Sequence, residues 1–514
     1  MSKVAKTTII LMVITMVSKV LGFGRELVLG SFYGASAYSD IYITAANIPN
    51  LIFAGIGVAL STTFIPLYYE NRNIGGDEQA NKFTNNMLNI VLILGLILSI
   101  FIFIFAEPVT KILAMGFDGQ KFKYAVTFIR IMIFGGIFLS LSDIMTALLQ
   151  TKGKFIIPGL LGIPYNIIII IFIIASAKIN IYLLPIGTLI ALIIKFMFQV
   201  PFVYRINYKY KCILDLKDEY VKKVIYLVAP VFIGVAVDQV NIMVDRTLSS
   251  TLAEGSISAL NYANRLNSFV MALFITTIIS VIYPVLSKLS SENDKVKFSQ
   301  TVVTSVNSVV LLVTPISVGA IVLANPIVKT LFQRGAFDER ATSMTAIALC
   351  FYSLGMLGLA LRDILSKVFY SLQDTKTPMI NGALAMGLNI ILNIILIKYM
   401  GHAGLAFGTS IASTICVFML FHSLGKKIGD FGQKRIVYTV IKSVVAALIM
   451  GFVVHRANIW IGNILGDGLI NEIITLGCSI ISGVIVYAIL IIILRIEEVN
   501  VIINTIKLKL NRQI

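Results

Sequence analysis

Charged side chains stand in this chain where nearly everything around them is hydrocarbon. Nine basic residues fall inside long apolar runs: Lys19, Arg25, Arg130, Lys195, Arg246, Arg265, Arg362, Lys367 and Lys442. Six acidic residues do the same: Glu26, Asp40, Asp143, Asp238, Asp245 and Asp363. A charge at the centre of a bilayer costs about 2.5–3.5 kcal/mol on insertion scales, so such groups face water or one another. The densest set comes from the first, second, seventh and eighth apolar runs. It comprises Lys19, Arg25, Glu26 and Asp40, then Asp238, Asp245, Arg246 and Arg265. A wet basic cavity suits an anion, and arginine's planar fork of donors matches phosphate oxygens. The plain alternative is a set of ion pairs, such as Arg25 with Asp40, that only pins helices together. Lys195, Lys442 and Arg130 lie near predicted helix ends and are expected to snorkel. Gly22 and Gly24 precede Arg25 and predict a soft point or break in the first helix; their other use is close helix packing.

The elements that carry these charges follow from composition. The chain has 514 residues, 58% of them hydrophobic and 13% charged. Soluble chains are about 25% charged. Mean hydropathy is +0.92. Runs such as 89–105 and 166–175 hold almost no polar side chain. A spanning helix needs about 20 apolar residues. The fold class expected is an all-α polytopic membrane protein of about 14 transmembrane helices. Approximate spans are 4–32, 37–69, 84–106, 122–150, 155–176, 181–205, 222–249, 256–287, 298–323, 340–371, 377–399, 402–425, 436–456 and 470–495. The tail 496–514 reads as an amphipathic surface helix. Lys3 and Lys6 before an apolar run look like a signal peptide, but no small-residue cleavage site follows, so the run reads as a retained first helix.

The net charge of +17 is read as membrane topology, with no nucleic acid partner. With the N-terminus inside, the cytoplasmic segments hold 24 Lys and Arg and the external loops 9. That excess places both termini in the cytoplasm. The four cysteines (Cys212, Cys350, Cys416, Cys478) and three histidines (His402, His422, His455) form no disulfide or metal pattern. No G-x-x-x-x-G-K-[ST] motif is present, which argues against ATP hydrolysis.

Two stretches echo each other. Ala46-Asn47-Ile48-Pro49-Asn50 leads to Pro66, and Ala263-Asn264-Arg265-Leu266-Asn267 leads to Pro284. Later, Leu149-Gln150-Thr151-Lys152 is matched by Leu372-Gln373-Asp374-Thr375-Lys376. The offsets are 217 and 223 residues. Six predicted helices separate the copies, so the halves have the same orientation and form parallel repeats. The organisation expected is an N-lobe over 1–206 (helices 1–6), a basic linker over 207–221 and a C-lobe over 222–425 (helices 7–12). Helices 13 and 14 over 426–495 and the tail over 496–514 complete it.

Ser18-Lys19-Val20-Leu21-Gly22-Phe23-Gly24-Arg25-Glu26 resembles the first-helix signature of the MurJ lipid II flippases. So do Asp40 with Pro49-Asn50, Gly255-Ser256 through Tyr262-Ala263-Asn264-Arg265-Leu266, Leu331-Phe332-Gln333-Arg334-Gly335-Ala336-Phe337, and Tyr370 through Pro378. The resemblance implies the fold of the multidrug/oligosaccharidyl-lipid/polysaccharide exporter superfamily and a place in the bacterial cell membrane. It implies movement of an undecaprenyl-pyrophosphate-linked peptidoglycan precursor between leaflets by alternating access. The chain would be a transporter and not an enzyme, with a lipid-linked anionic substrate, membrane lipids and cell-wall synthesis proteins as partners. Arg25 and Arg265 match the family's cavity arginines, Lys19 replaces one, Glu26 replaces an aspartate, and Asp40 and Asn50 match residues of the cavity and gate. Helices 13 and 14 look like the groove for the lipid tail. Some members look sodium-linked, and Asp245 and Asp374 fall at the matching positions. The other oxygen ligands a hard cation needs are not evident, and helix capping is the alternative for Asp374. No other cofactor is implied. One departure stands out: the family's arginine pair and glutamate after Pro49-Asn50 are missing, since residues 51–57 carry no charge. Either Arg246 compensates, or the cargo is another polyprenyl-linked saccharide. A drug or cation antiporter on the same fold is the remaining alternative, disfavoured by the excess of Lys and Arg.

Overall fold

The computed structural model describes residues 3–498; the side chains of 3–9, 54–56, 58–62, 225 and 228–238 are outside the description. The Asp238 side chain and the expected surface helix from residue 499 onward therefore lie outside the described residues. In lipid the backbone must satisfy its own hydrogen bonds, and the described chain does so with helices. They are α1 Lys3–Tyr33, α2 Ala37–Ile104, α3 Ala106–Leu113, α4 Gly119–Met132, α5 Gly135–Thr151, α6 Ile156–Leu160, α7 Gly162–Lys178, α8 Leu183–Met197, α9 Val200–Tyr204 and α10 Glu219–Ser250. Then follow α11 Ser256–Ser291, α12 Lys295–Val322, α13 Ala324–Phe332, α14 Glu339–Leu354, α15 Met356–Ser371, α16 Lys376–Met400, α17 His402–Ile428, α18 Gln433–Leu465 and α19 Leu469–Ile493.

Among the described residues ten helices are long and apolar enough to span a membrane, or eleven if α14 and α15, bent by 43°, count as one. The remaining expected spans are α1, the first part of α2 and α10, which contain the undescribed side chains. The chain is thus an all-helical multi-pass membrane protein. Expected helices 2 and 3 are fused in α2 and divided only by Gly75 and Gly76, the latter at φ +67. Asp77 beside this turn is braced by Arg72 at 2.8 Å and Lys152 at 2.9 Å.

The chain divides into two compact units: Met1–Ser258 with Arg334–Phe337, and Ala259–Gln333 with Asp338–Ile514. In the first, buried residues of α2 and α5 pack with Val203, Tyr208, Val221 and Val224 from the segment that follows α8. Three asparagines on α2 hold that segment. Asn85 accepts from Tyr208 and from the Lys211 N–H, Asn86 exchanges two hydrogen bonds with the Asp215 backbone, and Asn89 donates to the Lys211 and Ile213 carbonyls. In the second unit, α12, α15 and α17 form the main core, and α18 and α19 pack on α12 through Ala446, Met450, Val454 and Tyr487. The buried Glu498, inside the expected tail, is tied to Asn307 and Arg435 at 2.7 Å each.

The structure exposes a third echo that the apolar pattern hides. Ala106-Glu107-Pro108-Val109-Thr110-Lys111 (α3) and Ala324-Asn325-Pro326-Ile327-Val328-Lys329 (α13) are short helices in corresponding places. Each ends in a glycine-containing turn that abuts another helix's last carbonyls within the first unit. At Gly116 a Cβ would collide with the Ser250 carbonyl, and at Gly335 (φ +61) with that of Ser31. The Ala336 N–H donates to the Ser31 carbonyl at 2.8 Å.

Gly335→Ala therefore meets both left-handed backbone strain, about 1–2 kcal/mol, and a backbone clash. Gly153, at φ +70 with open space around it, meets only the strain. Thermal unfolding in detergent should show Gly335→Ala clearly below Gly153→Ala; equal shifts would contradict the close approach.

Candidate functional site

The site residues of the first unit are arranged around the end of α1 and the first half of α2. α1 runs unbroken through Gly22 and Gly24, so the expected break is not there. The close approach to α7 is made elsewhere: Gly162 leaves room for Ser18, where a Cβ would collide, while Gly22 lies at ordinary contact distance from Asn166, which donates to the Gly162 carbonyl at 2.7 Å. Arg25 faces this inner side. Its guanidinium donates to Glu26 at 2.7 Å and stacks over Tyr165, 5.9 Å from the ring centroid. The pair is largely shielded, 18% and 5% exposed. Tyr42, close enough to interact with Arg25, is anchored by Thr188 at 3.0 Å. A guanidinium carries five N–H donors, and the Arg25 hydrogen bond among the described residues is the one to Glu26. Lys19 is exposed; six residues before Arg25, it sits about 120° around the helix from it.

Asp40 pairs with neither arginine. It is buried, and its two oxygens accept from the Gly255 N–H at 2.8 Å, the Ser258 N–H at 2.9 Å, the Ser258 hydroxyl at 2.6 Å and Lys121 at 3.3 Å. The Ser39 hydroxyl adds a 2.8 Å bond to Ser258. Asp40 thus caps the first turn of α11, while Gly255, at φ +88, lies too close to the Ala35 carbonyl for any side chain.

Asn50 and Arg246 do come together. They line a cavity of roughly 210 Å³ between α2 and α10, with Asn47, Thr44 and Gln239 as its other polar walls. Asn47 belongs to the repeated Ala-Asn motif. Asp245, half-buried, is the residue before Arg246 on α10.

The second unit holds Arg265, exposed on α11, and Asp374. Asp374 lies in the turn before α16, where it accepts from Lys427 at 2.6 Å and from the Thr377 N–H and hydroxyl at 2.9 and 2.8 Å. It therefore caps α16 and pairs with α17. No group of three or more His, Cys, Asp and Glu that could hold a metal ion occurs among the described residues.

The three lysines and arginines expected to snorkel differ. Arg130 bonds the Phe103 carbonyl and Glu107, and Lys442 the Leu494 carbonyl, both at helix ends. Lys195 does not snorkel: it stands between Leu192 and Gln199 on the face of α8 that packs against α5. Nothing in the apolar pattern of α8 shows which side of the helix meets α5.

Lys427 beside Asp374, helped by the Thr377 N–H, holds this carboxyl at about 2. A carboxyl depressed by folding contributes stability above its unfolded value near 3.8, and that stability is lost as pH falls through about 2. The thermal stability of wild type should fall more steeply than that of Asp374→Asn between about pH 4 and 2; parallel curves would show that the pair contributes nothing.

A family model described as lipid II flippase MurJ matches residues 29–467. The lipid II flippase MurJ of Burkholderia cenocepacia is 29% identical over 427 residues, 80% of this chain and 82% of its own. The probable lipid II flippase MurJ of Haemophilus influenzae is 30% identical over 470 residues, covering 87% and 92%. A solved lipid II flippase MurJ in an inward closed conformation superposes with a TM-score of 0.81 at 28% identity, covering 94% of this chain and 98% of that one. An inward-facing multidrug resistance MATE family transporter of the MOP superfamily, at 14% identity and TM-score 0.69, covers 83% and 99% and shares the fold.

Proposed function

Since the chain belongs to the lipid II flippase MurJ family, we infer that it carries lipid II from the inner to the outer leaflet by alternating access. It is a transporter and catalyses no covalent chemistry. The observation that carries the residue-level reading is Arg25: a shielded guanidinium, braced by Glu26 and Tyr165, with donor capacity left for phosphate oxygens. Positioned donors in a shielded site are worth far more than in water. In this reading Arg25, Arg246 and Arg265 are the cations for the pyrophosphate and its approach, and Lys19, exposed, attracts it at longer range. Asp40 and Asn50 set the shape of the passage, and α18 and α19 form the path for the lipid tail. Both termini face the cytoplasm.

Helix α2 lacks the family's arginine after Asn50, and the placement of Arg246 in one cavity with Asn47 and Asn50 supports compensation from α10. This favours the same cargo over a different polyprenyl-linked saccharide. A cavity that binds equally in both states drives nothing. Net direction comes from membrane potential, an ion gradient or removal of product. A sodium ion at Asp374 would have to displace Lys427, so coupling through that residue would show as competition between sodium and the Lys427 pair.

The test is reconstitution into liposomes with lipid II, scored by its appearance in the outer leaflet. Arg25→Ala should transport roughly 10–100-fold more slowly, the loss of a charge-assisted hydrogen bond; because it also takes the Arg25 partner from buried Glu26, Arg25→Ala with Glu26→Gln should show the same loss at a melting temperature close to wild type. Transport at the wild-type rate would remove Arg25 from the site.

A further inference from the structure

Helices α5 and α8 of the first unit enclose a charged pair that the site above does not use. Gly135 packs on Leu192, and Ser142 is bonded by Gln199 at 2.7 Å with a sequence separation of 57. Gly135 and Leu192 have that same separation, so the two helices run parallel and in register. Lys195 lies between Leu192 and Gln199 on this face, and Asp143 follows Ser142 on α5. The two charges interact electrostatically, and neither makes a hydrogen bond or direct ion pair among the described residues. Gly57 of α2 completes the enclosure, because a Cβ there would collide with the Asp143 carboxylate. The facing stretch of α2 from Leu51 to Gly57 has no charge.

Lys195 also shares a helical face with Thr188, two turns earlier. Thr188 holds Tyr42, which neighbours Arg25. A polar seam thus runs from Arg25 and Tyr42 through Thr188 to Lys195 and Gln199, with Lys195 about 10 Å along the axis from Thr188. An ammonium kept inside the membrane without a hydrogen bond has three unused donors. A buried pair of this kind is weak evidence for stability, so a role in binding explains it better.

Resting on the flippase reading, we propose that Lys195 is a second anion-binding position on the substrate path, and that Asp143 is the counter-charge it exchanges for a substrate phosphate. Gly57 is the small residue that admits the carboxylate to this place. α8 then contributes a further positive charge, in addition to the one that Arg246 brings from α10.

The test is binding of farnesyl pyrophosphate to the full-length protein in detergent, paired with thermal unfolding. Lys195→Met should bind roughly tenfold more weakly, and Lys195→Arg close to wild type. Asp143→Asn should bind at least as tightly as wild type, because the competing carboxylate is gone. The decisive variant is Asp143→Asn with Lys195→Met: it should melt like wild type yet bind as weakly as Lys195→Met alone. Wild-type affinity in that double variant, or in Lys195→Met itself, would reduce the pair to a structural one and overturn the proposal. Weakened binding by Arg25→Ala with no effect of Lys195→Met would leave the flippase reading standing and remove only this one. A wild-type protein that binds no pyrophosphate lipid removes both.

Discussion

A carboxylate withdrawn from water must be surrounded by donors, and in the first unit that demand is met at Asp40. Four donors converge on its two oxygens, two of them backbone N–H groups at the start of α11. No such arrangement forms unless the chain ends around it approach closely. Gly255 lies against Ala35, Gly34 against Ala336 and Gly335 against Ser31, each at a positive φ that a side chain would strain. The junctions after α1, α10 and α13 are thereby fixed to one another, and the orientation of α1, which carries Arg25, follows from that fixation.

The charges with described partners then separate into two kinds. Asp40, Asp374 and Glu498 have their oxygens engaged by several donors and hold helix ends in place. Arg25 and Lys195 retain donors and lie on the inner faces of α1 and α8. Within the first unit a saturated carboxylate, Asp40, together with cations that retain donors gives a net attraction for anions without a soft framework. The proposed pyrophosphate site rests on that balance.

Most of the fold was legible as apolar length. Each span expected between 122 and 495 corresponds to one helix or to one closely joined pair, such as α4 with α5. What escaped were features decided by a partner. The fusion of two expected helices across Gly75 and Gly76 depends on a turn too short to register as a loop. The helices α3 and α13 are eight and nine residues long, below the length that signals a span, although their shared Ala-x-Pro-x-x-Lys was there to be read. Arg25 and Arg246 stood out because charge is rare in hydrocarbon and Asn50 through the family resemblance; the structure puts Asn50 and Arg246 on one cavity. The inward aim of Lys195 was missed because position near a helix end says nothing about which neighbour covers it. Gly22 looked like a breaker, yet α1 is continuous there; the glycine that admits its neighbour is Gly162, against Ser18, and those two residues are 144 positions apart.

The asparagine rail on α2 has a mechanical consequence. The stretch from Tyr208 to Asp215 carries Lys209 and Lys211 and reads as slack between bundles, yet its amides and carbonyls are clipped to Asn85, Asn86 and Asn89. A tether fastened along its length stores no spare reach. Lengthening this stretch would require those clips to open, so three amide side chains set how far it can extend between α9 and α10.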